Sequence, residues 1–207
     1  MLYTLKNNTL TVTVDSLGAQ VLSVRSSDGC EYIWQGNPEY WTGHAPLLFP
    51  ICGRLFGGKY TYRGKEYELG LHGFARKSEF TVCEADDFHI VLSLTQNEDT
   101  LAMYPFEFEF TVSYVLDGNS LSSSVNIKNT GKKTMPATFG AHPGFNVPLD
   151  CGEFEDWYVE FASDCTPNEL VLSDTGLNTG KKRAYPLVDS RIIPLHHSLF
   201  EIGRAHV

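Results

Sequence analysis

The sequence predicts an all-β protein, an antiparallel β-sandwich, and three observations carry that expectation. Apolar residues recur at every second position over several short runs. Gly, Asn and Asp punctuate those runs at short intervals. No segment keeps a helical period. A chain of 207 residues is long enough for one well-buried core, so one sandwich domain over 1–201 is expected.

The elements follow in order. Residues 9–15 (TLTVTVD) alternate Leu10, Val12 and Val14 with threonines, which makes a half-buried strand. After Gly18, residues 19–25 (AQVLSVR) give a second. Residues 60–62 and 66–69 flank Arg63-Gly64-Lys65, a hairpin signal. Short apolar runs at 80–83 and 89–94 add two more strands. The longest run, PFEFEFTVSYVL at 105–116, puts Phe106, Phe108, Phe110, Val112, Tyr114 and Leu116 on one face. Asp117-Gly118-Asn119 then turns the chain into 121–128, where Leu121, Ser123, Val125 and Ile127 alternate with more polar positions.

Composition narrows the function classes. Hydrophobic residues make up 42% and charged residues 20%, which fits a globular chain rather than a disordered one. A net charge of −9 lacks the electrostatic footprint of a nucleic-acid binder and disfavours anionic membranes. The start, MLYTLKNNT, has neither a basic nor an apolar leader region, and no apolar run reaches spanning length. The five cysteines are widely spaced with no CxxC pair. They are expected as reduced thiols in a cytoplasmic protein, mostly as small buried apolar residues.

The irregular stretches hold the candidate chemistry. Residues 34–55 read WQGNPEYWTGHAPLLFPICGRL, residues 71–76 LHGFAR and residues 139–145 FGAHPGF. Each interrupts the alternation, as binding loops on a rigid scaffold do. Aromatic faces cover the C–H face of a sugar, while Arg and His donate to its oxygens. Taken singly, each histidine is more simply a structural residue bonded to backbone. Two histidines in similar settings beside an aromatic, Arg-containing segment favour a site. His44, His72, His142 and Cys52 show no HxH, HExxH or CxxC spacing, so no metal site is expected. There is no GxSxG elbow and no phosphate-cradling loop.

APLLFPICGRL, LHGFAR and AHPGF together resemble the aldose 1-epimerase (galactose mutarotase-like) family, above all its LacX-like and hexose-6-phosphate epimerase-like branches. The resemblance runs from the amino terminus to about Phe200. It implies a supersandwich fold and cofactor-free interconversion of the α and β anomers of an aldose. It makes His142 the general acid, His72 and Arg54 substrate-binding residues, and Arg76 the candidate partner of a sugar phosphate. The Pro and Gly beside His142 are read as fixing its orientation and letting a sugar approach the backbone.

The carboxyl end departs from the family pattern. The family's general base is a glutamate in a late motif, with a sugar-binding aspartate before it, and neither motif is present. Residues 202–207 (IGRAHV) resemble the translation of a common sequencing adapter and are expected to be a non-native tail on a truncated frame. The expected function is thus an aldose 1-epimerase fragment that lacks its base. The alternative is a non-catalytic carbohydrate-binding protein on the same scaffold; a cupin-like metal enzyme is weakened by the absent HxH. A small-molecule sugar is the expected ligand, with a neutral aldose favoured over a phosphosugar. Nothing in the sequence fixes an oligomeric state.

Overall fold

A computed structural model describes residues 1–200; the expected tail at 202–207 lies outside the described residues. Two compact units divide the chain, Met1–Asn146 and a second that starts at Val147.

The first unit opens with three antiparallel strands, β1 (Leu2–Lys6), β2 (Leu10–Asp15) and β3 (Gln20–Ser26). Alternation in β2 buries Leu10, Val12 and Val14 while the threonines between them stay half-exposed. A long irregular segment then crosses to β4, only Leu47–Leu48. The hairpin β5 (Lys59–Tyr62) and β6 (Lys65–Glu68) turns through Arg63 and Gly64, whose φ values of 50° and 79° suit the tight primed turn that hairpins favour.

A four-stranded sheet follows in the order β10-β9-β8-β7. Its members are β7 (Thr81–Ala85), β8 (His89–Thr95), β9 (Phe108–Asp117) and β10 (Ser120–Asn129). Between β8 and β9 lies α1 (Glu98–Met103), the one α-helix among the described residues. Sequence periodicity missed it because six residues are too few to show one. Its signal is the cap instead: Asn97 Oδ1 accepts from Thr100 N and Thr100 Oγ1 accepts from Asn97 N, both at 2.8 Å.

The core forms where the inward faces meet. Phe108, Phe110, Val112, Tyr114 and Leu116 of β9 are buried at every second position. Phe49 is fully buried beside them, its ring 5.1 Å from Phe108, 5.0 Å from Phe110, 5.8 Å from Phe74 and 6.0 Å from Tyr104. Burying one such ring contributes about 1.5–3 kcal/mol. Tyr114 spans the core with a 2.7 Å bond from its hydroxyl to Ala19 O.

β11 (Gly140–Ala141) pairs antiparallel with β4. The ladder is longer than those two residues. Thr138 N donates to Pro50 O, His142 N to Pro46 O and Gly144 N to His44 O, all in the register that sets Gly140 opposite Leu48. The second unit carries β12 (Tyr158–Glu160) paired with β15 (Ile192–Pro194), and β13 (Asn168–Leu172) paired with β14 (Asn178–Ala184).

The expectation of buried cysteines is corrected. Cys52, Cys83 and Cys151 are exposed, Cys30 and Cys165 are half-buried, and all five are free thiols. Cys83 illustrates the reason: in β7 it alternates with the half-buried Val82 and so shares the exposed face with Thr81.

Candidate functional site

The segment 44–53 holds both candidate histidines, one on each of its sides. Along one side runs 138–144, whose ladder delivers His142 opposite Pro46. On the other side Phe49 forms a parallel bridge to Gly73, and Phe49 O accepts from Phe74 N (3.0 Å) and Ala75 N (3.2 Å). This contact admits only glycine at 73. Its φ is +69°, and a Cβ would stand 2.3 Å from Phe49 O. His72, next in line, is drawn into the same place.

His72 is buried and held in the left-handed region at φ 64°. That conformation costs a non-glycine residue on the order of 1–3 kcal/mol and persists only where surroundings enforce it. Gly53 is the enforcing partner. His72 N donates to Gly53 O (2.8 Å), and Gly53 N donates to His72 Nδ1 (2.9 Å). An accepting Nδ1 leaves the proton of a neutral ring on Nε2. Burial, followed by the charges of Arg76, His142 and Arg54, holds the imidazole pKa below its ordinary value. His72 is therefore a neutral donor at neutral pH.

The four residues singled out from sequence come together. The His72 and His142 rings are 6.2 Å apart, and Arg54 and Arg76 lie close enough to bear on the charge of His72. Arg54 is exposed. Arg76 is half-buried rather than a solvated surface charge. It donates from Nη2 to Leu71 O (3.3 Å), and its Nε is buried without a hydrogen-bond partner. Among the described residues no group of three or more His, Cys, Asp or Glu side chains could hold a metal ion.

Among the described residues the His142 ring takes no hydrogen bond, and only its backbone is tied, to Pro46 O. One expectation about 139–145 changes. Gly144 does not lie open for a ligand. A Cβ there would meet Trp41 Cζ3 at 2.8 Å and Trp34 Cβ at 3.1 Å. The glycine makes room for tryptophan. Alternation along this strand also matters, because Ala141, Pro143 and Phe145 line a separate, mostly apolar cavity of about 550 Å³ with Leu47, Tyr32 and Tyr114. That cavity contains neither histidine, so the polar cluster and not the apolar void is the candidate site.

Sequence reasoning passed over Gly53 and Trp41. Gly53 acts through backbone atoms, which leave no compositional mark. Trp41 stood among the aromatics of 34–55, but its contact with His142 spans a hundred positions of chain.

The aldose 1-epimerase family model matches residues 1–185. The plasmid-encoded protein LacX of Lactococcus lactis subsp. lactis is 41% identical over 204 residues, covering 95% of this chain and 68% of that protein. A galactose mutarotase related enzyme from Lactobacillus acidophilus superposes with a TM-score of 0.91 at 41% identity, covering 98% of this chain and 68% of the other. A galactose mutarotase-like protein from Lactobacillus casei gives a TM-score of 0.89 at 30% identity, covering 96% and 69%. The expected galactose mutarotase-like, antiparallel all-β fold is the one observed.

Proposed function

The chain belongs to the aldose 1-epimerase family, and from that premise we propose that its histidine–arginine cluster exchanges the α and β anomers of an aldose. The observation that carries this reading is the convergence of His72 and His142 with two arginines beside one strand segment. In the proposed reaction His142 gives a proton to the ring oxygen while a base takes one from the anomeric hydroxyl. The bond between C1 and the ring oxygen breaks and C1 becomes an aldehyde. Rotation about C1–C2 presents its other face, the ring closes, and both protons return. Imidazole suits the acid role because it gives and retakes a proton near neutral pH.

His72 Nε2–H supplies a hydrogen bond to a sugar oxygen, and its neutral state keeps that donor from repelling the cationic form of His142. Arg54 binds at the exposed rim. We place the general base, a glutamate by family resemblance, outside the described residues. A neutral aldose is the favoured substrate, and a cytoplasmic location the favoured setting. A phosphosugar is the second reading, supported by the unpartnered Nε of Arg76 and the bidentate fit of guanidinium to phosphate.

Polarimetry on freshly dissolved α-galactose and α-glucose, paired with NMR titration of the imidazoles, tests the proposal. Both imidazoles should shift with sugar, and any acceleration over buffer should vanish in His142→Ala. Saturable sugar binding with no anomer exchange would move the chain to the carbohydrate-binding alternative. No binding of any aldose would overturn both.

A further inference from the structure

The His142 ring has an aromatic wall on one side and no polar anchor among the described residues. The Trp41 and His142 centroids are 5.2 Å apart with planes at 67°, an edge-on contact of the kind aromatic pairs prefer. The indole is itself tightly fixed. A Cβ on Gly43 would stand 2.4 Å from Trp41 Cζ2, and one on Gly144 would stand 2.8 Å from Cζ3, so the six-membered ring fills a slot between two glycines. Trp41 O accepts from Trp34 Nε1 (2.7 Å), Trp41 N donates to Asn37 O (2.9 Å), and Trp34 N donates to Gly144 O (3.0 Å). The loop that carries the indole is thus stitched to the strand that carries the imidazole.

We infer that Trp41 is a positioning residue, whose indole sets the orientation of the His142 imidazole through the slot formed by Gly43 and Gly144. Hydrogen bonds usually orient a catalytic histidine from its second nitrogen. Here ring packing takes that task, which leaves both nitrogens of His142 unengaged by described protein groups. A proton donor that must also be a proton acceptor in the reverse direction gains from that freedom. The indole covers one side of the imidazole, and the His72 ring stands 6.2 Å from it. Misplacement of a reacting group by about 1 Å can cost about 100-fold in rate.

This inference takes its catalytic meaning from the epimerase reading, but its structural content stands apart. The test therefore has two readouts on the full chain. In imidazole-selective NMR, Trp41→Ala should move the His142 ring protons through loss of the indole ring current and broaden them as the ring gains conformations. Trp41→Phe should restore a single narrow set. Gly43→Ala, whose methyl would collide with the indole 2.4 Å from Cζ2, should reproduce the Trp41→Ala spectrum. Thermal unfolding monitors folding, and the Gly43 and Phe variants decide the matter if Trp41→Ala fails to fold. In polarimetry, kcat should fall about 10–100-fold in Trp41→Ala and Gly43→Ala with KM changed less than about 2-fold, and recover in Trp41→Phe. Unchanged His142 resonances in folded Trp41→Ala and Gly43→Ala would overturn the inference. So would a loss expressed only in KM. Resonances that move as expected in a chain that exchanges no anomers would uphold the positioning and sink the epimerase reading instead.

Discussion

Gly53 and His72 exchange two hydrogen bonds, His72 N to Gly53 O at 2.8 Å and Gly53 N to His72 Nδ1 at 2.9 Å. The second bond exists only while Nδ1 carries no proton. Protonation turns an acceptor into a donor aimed at another donor, in a buried site beside Arg76, His142 and Arg54. Stability should therefore depend on pH. The folded-state pKa lies below the unfolded one, so the contribution is complete above about pH 6.5 and is lost as pH falls towards the folded value. Unfolding temperatures measured from pH 7.5 down to pH 5 should drop more in the wild type than in His72→Asn. Asn is the comparison because it tolerates left-handed backbone and does not titrate. Parallel curves would remove His72 from the pH response.

Glycine substitutions should separate strain from collision. Gly73→Ala places a methyl 2.3 Å from Phe49 O at φ +69° and should destabilise by about 3 kcal/mol or more. Gly64→Ala has a similar φ, +79°, but nothing within 4 Å of its Cβ. It should cost about 1 kcal/mol, the backbone preference alone. Chemical denaturation of both variants checks the difference, and equal losses would mean the Phe49 contact is not rigid.

Phe49→Ala should cost about 3–5 kcal/mol, because four aromatic neighbours lose a fully buried partner. The same residue bridges to Gly73, so the variant should also shift the His72 resonances. A large loss of stability with those resonances in place would show that backbone pairing holds the site without the ring.

The two arginines should divide their effects. Arg54→Ala should weaken sugar binding with little change in turnover, as removal of uniform binding does. Arg76→Ala should lower affinity for glucose 6-phosphate and leave glucose nearly untouched if the phosphosugar reading holds. Competition between the two sugars measures it, and a variant with unaltered preference returns Arg76 to a structural role through Leu71 O.

Much of this architecture could be read in advance wherever a pattern repeats. In β9 the side chains of Phe108, Phe110, Val112 and Tyr114 announce one buried face, and the turn after Asp117 fixes its pairing with β10. The segments that build the site have no such redundancy. β4 is assigned only Leu47–Leu48, too short for any period, yet it sets the register that brings His142 to Pro46. The left-handed backbone of His72 is likewise invisible in composition, since histidine seldom adopts it unless a partner such as Gly53 compels it. Residue types proposed a site; only the ladder on both sides of 44–53 says which of them meet.

That ladder also shapes how sequences of this kind can diverge. The histidines are fastened through backbone pairing to a segment whose next side chain, Phe49, lies at the centre of the core. The indole wall and the exposed Arg54 sit to either side of that segment, outside its pairing. Drift at the fastening points is met by misfolding before it can alter selectivity, whereas drift at Pro38, Glu39 and Tyr40, exposed and outside both that pairing and the Trp41 slot, leaves the histidines in place. A library confined to those positions should therefore keep more folded members than one spread over the whole cluster.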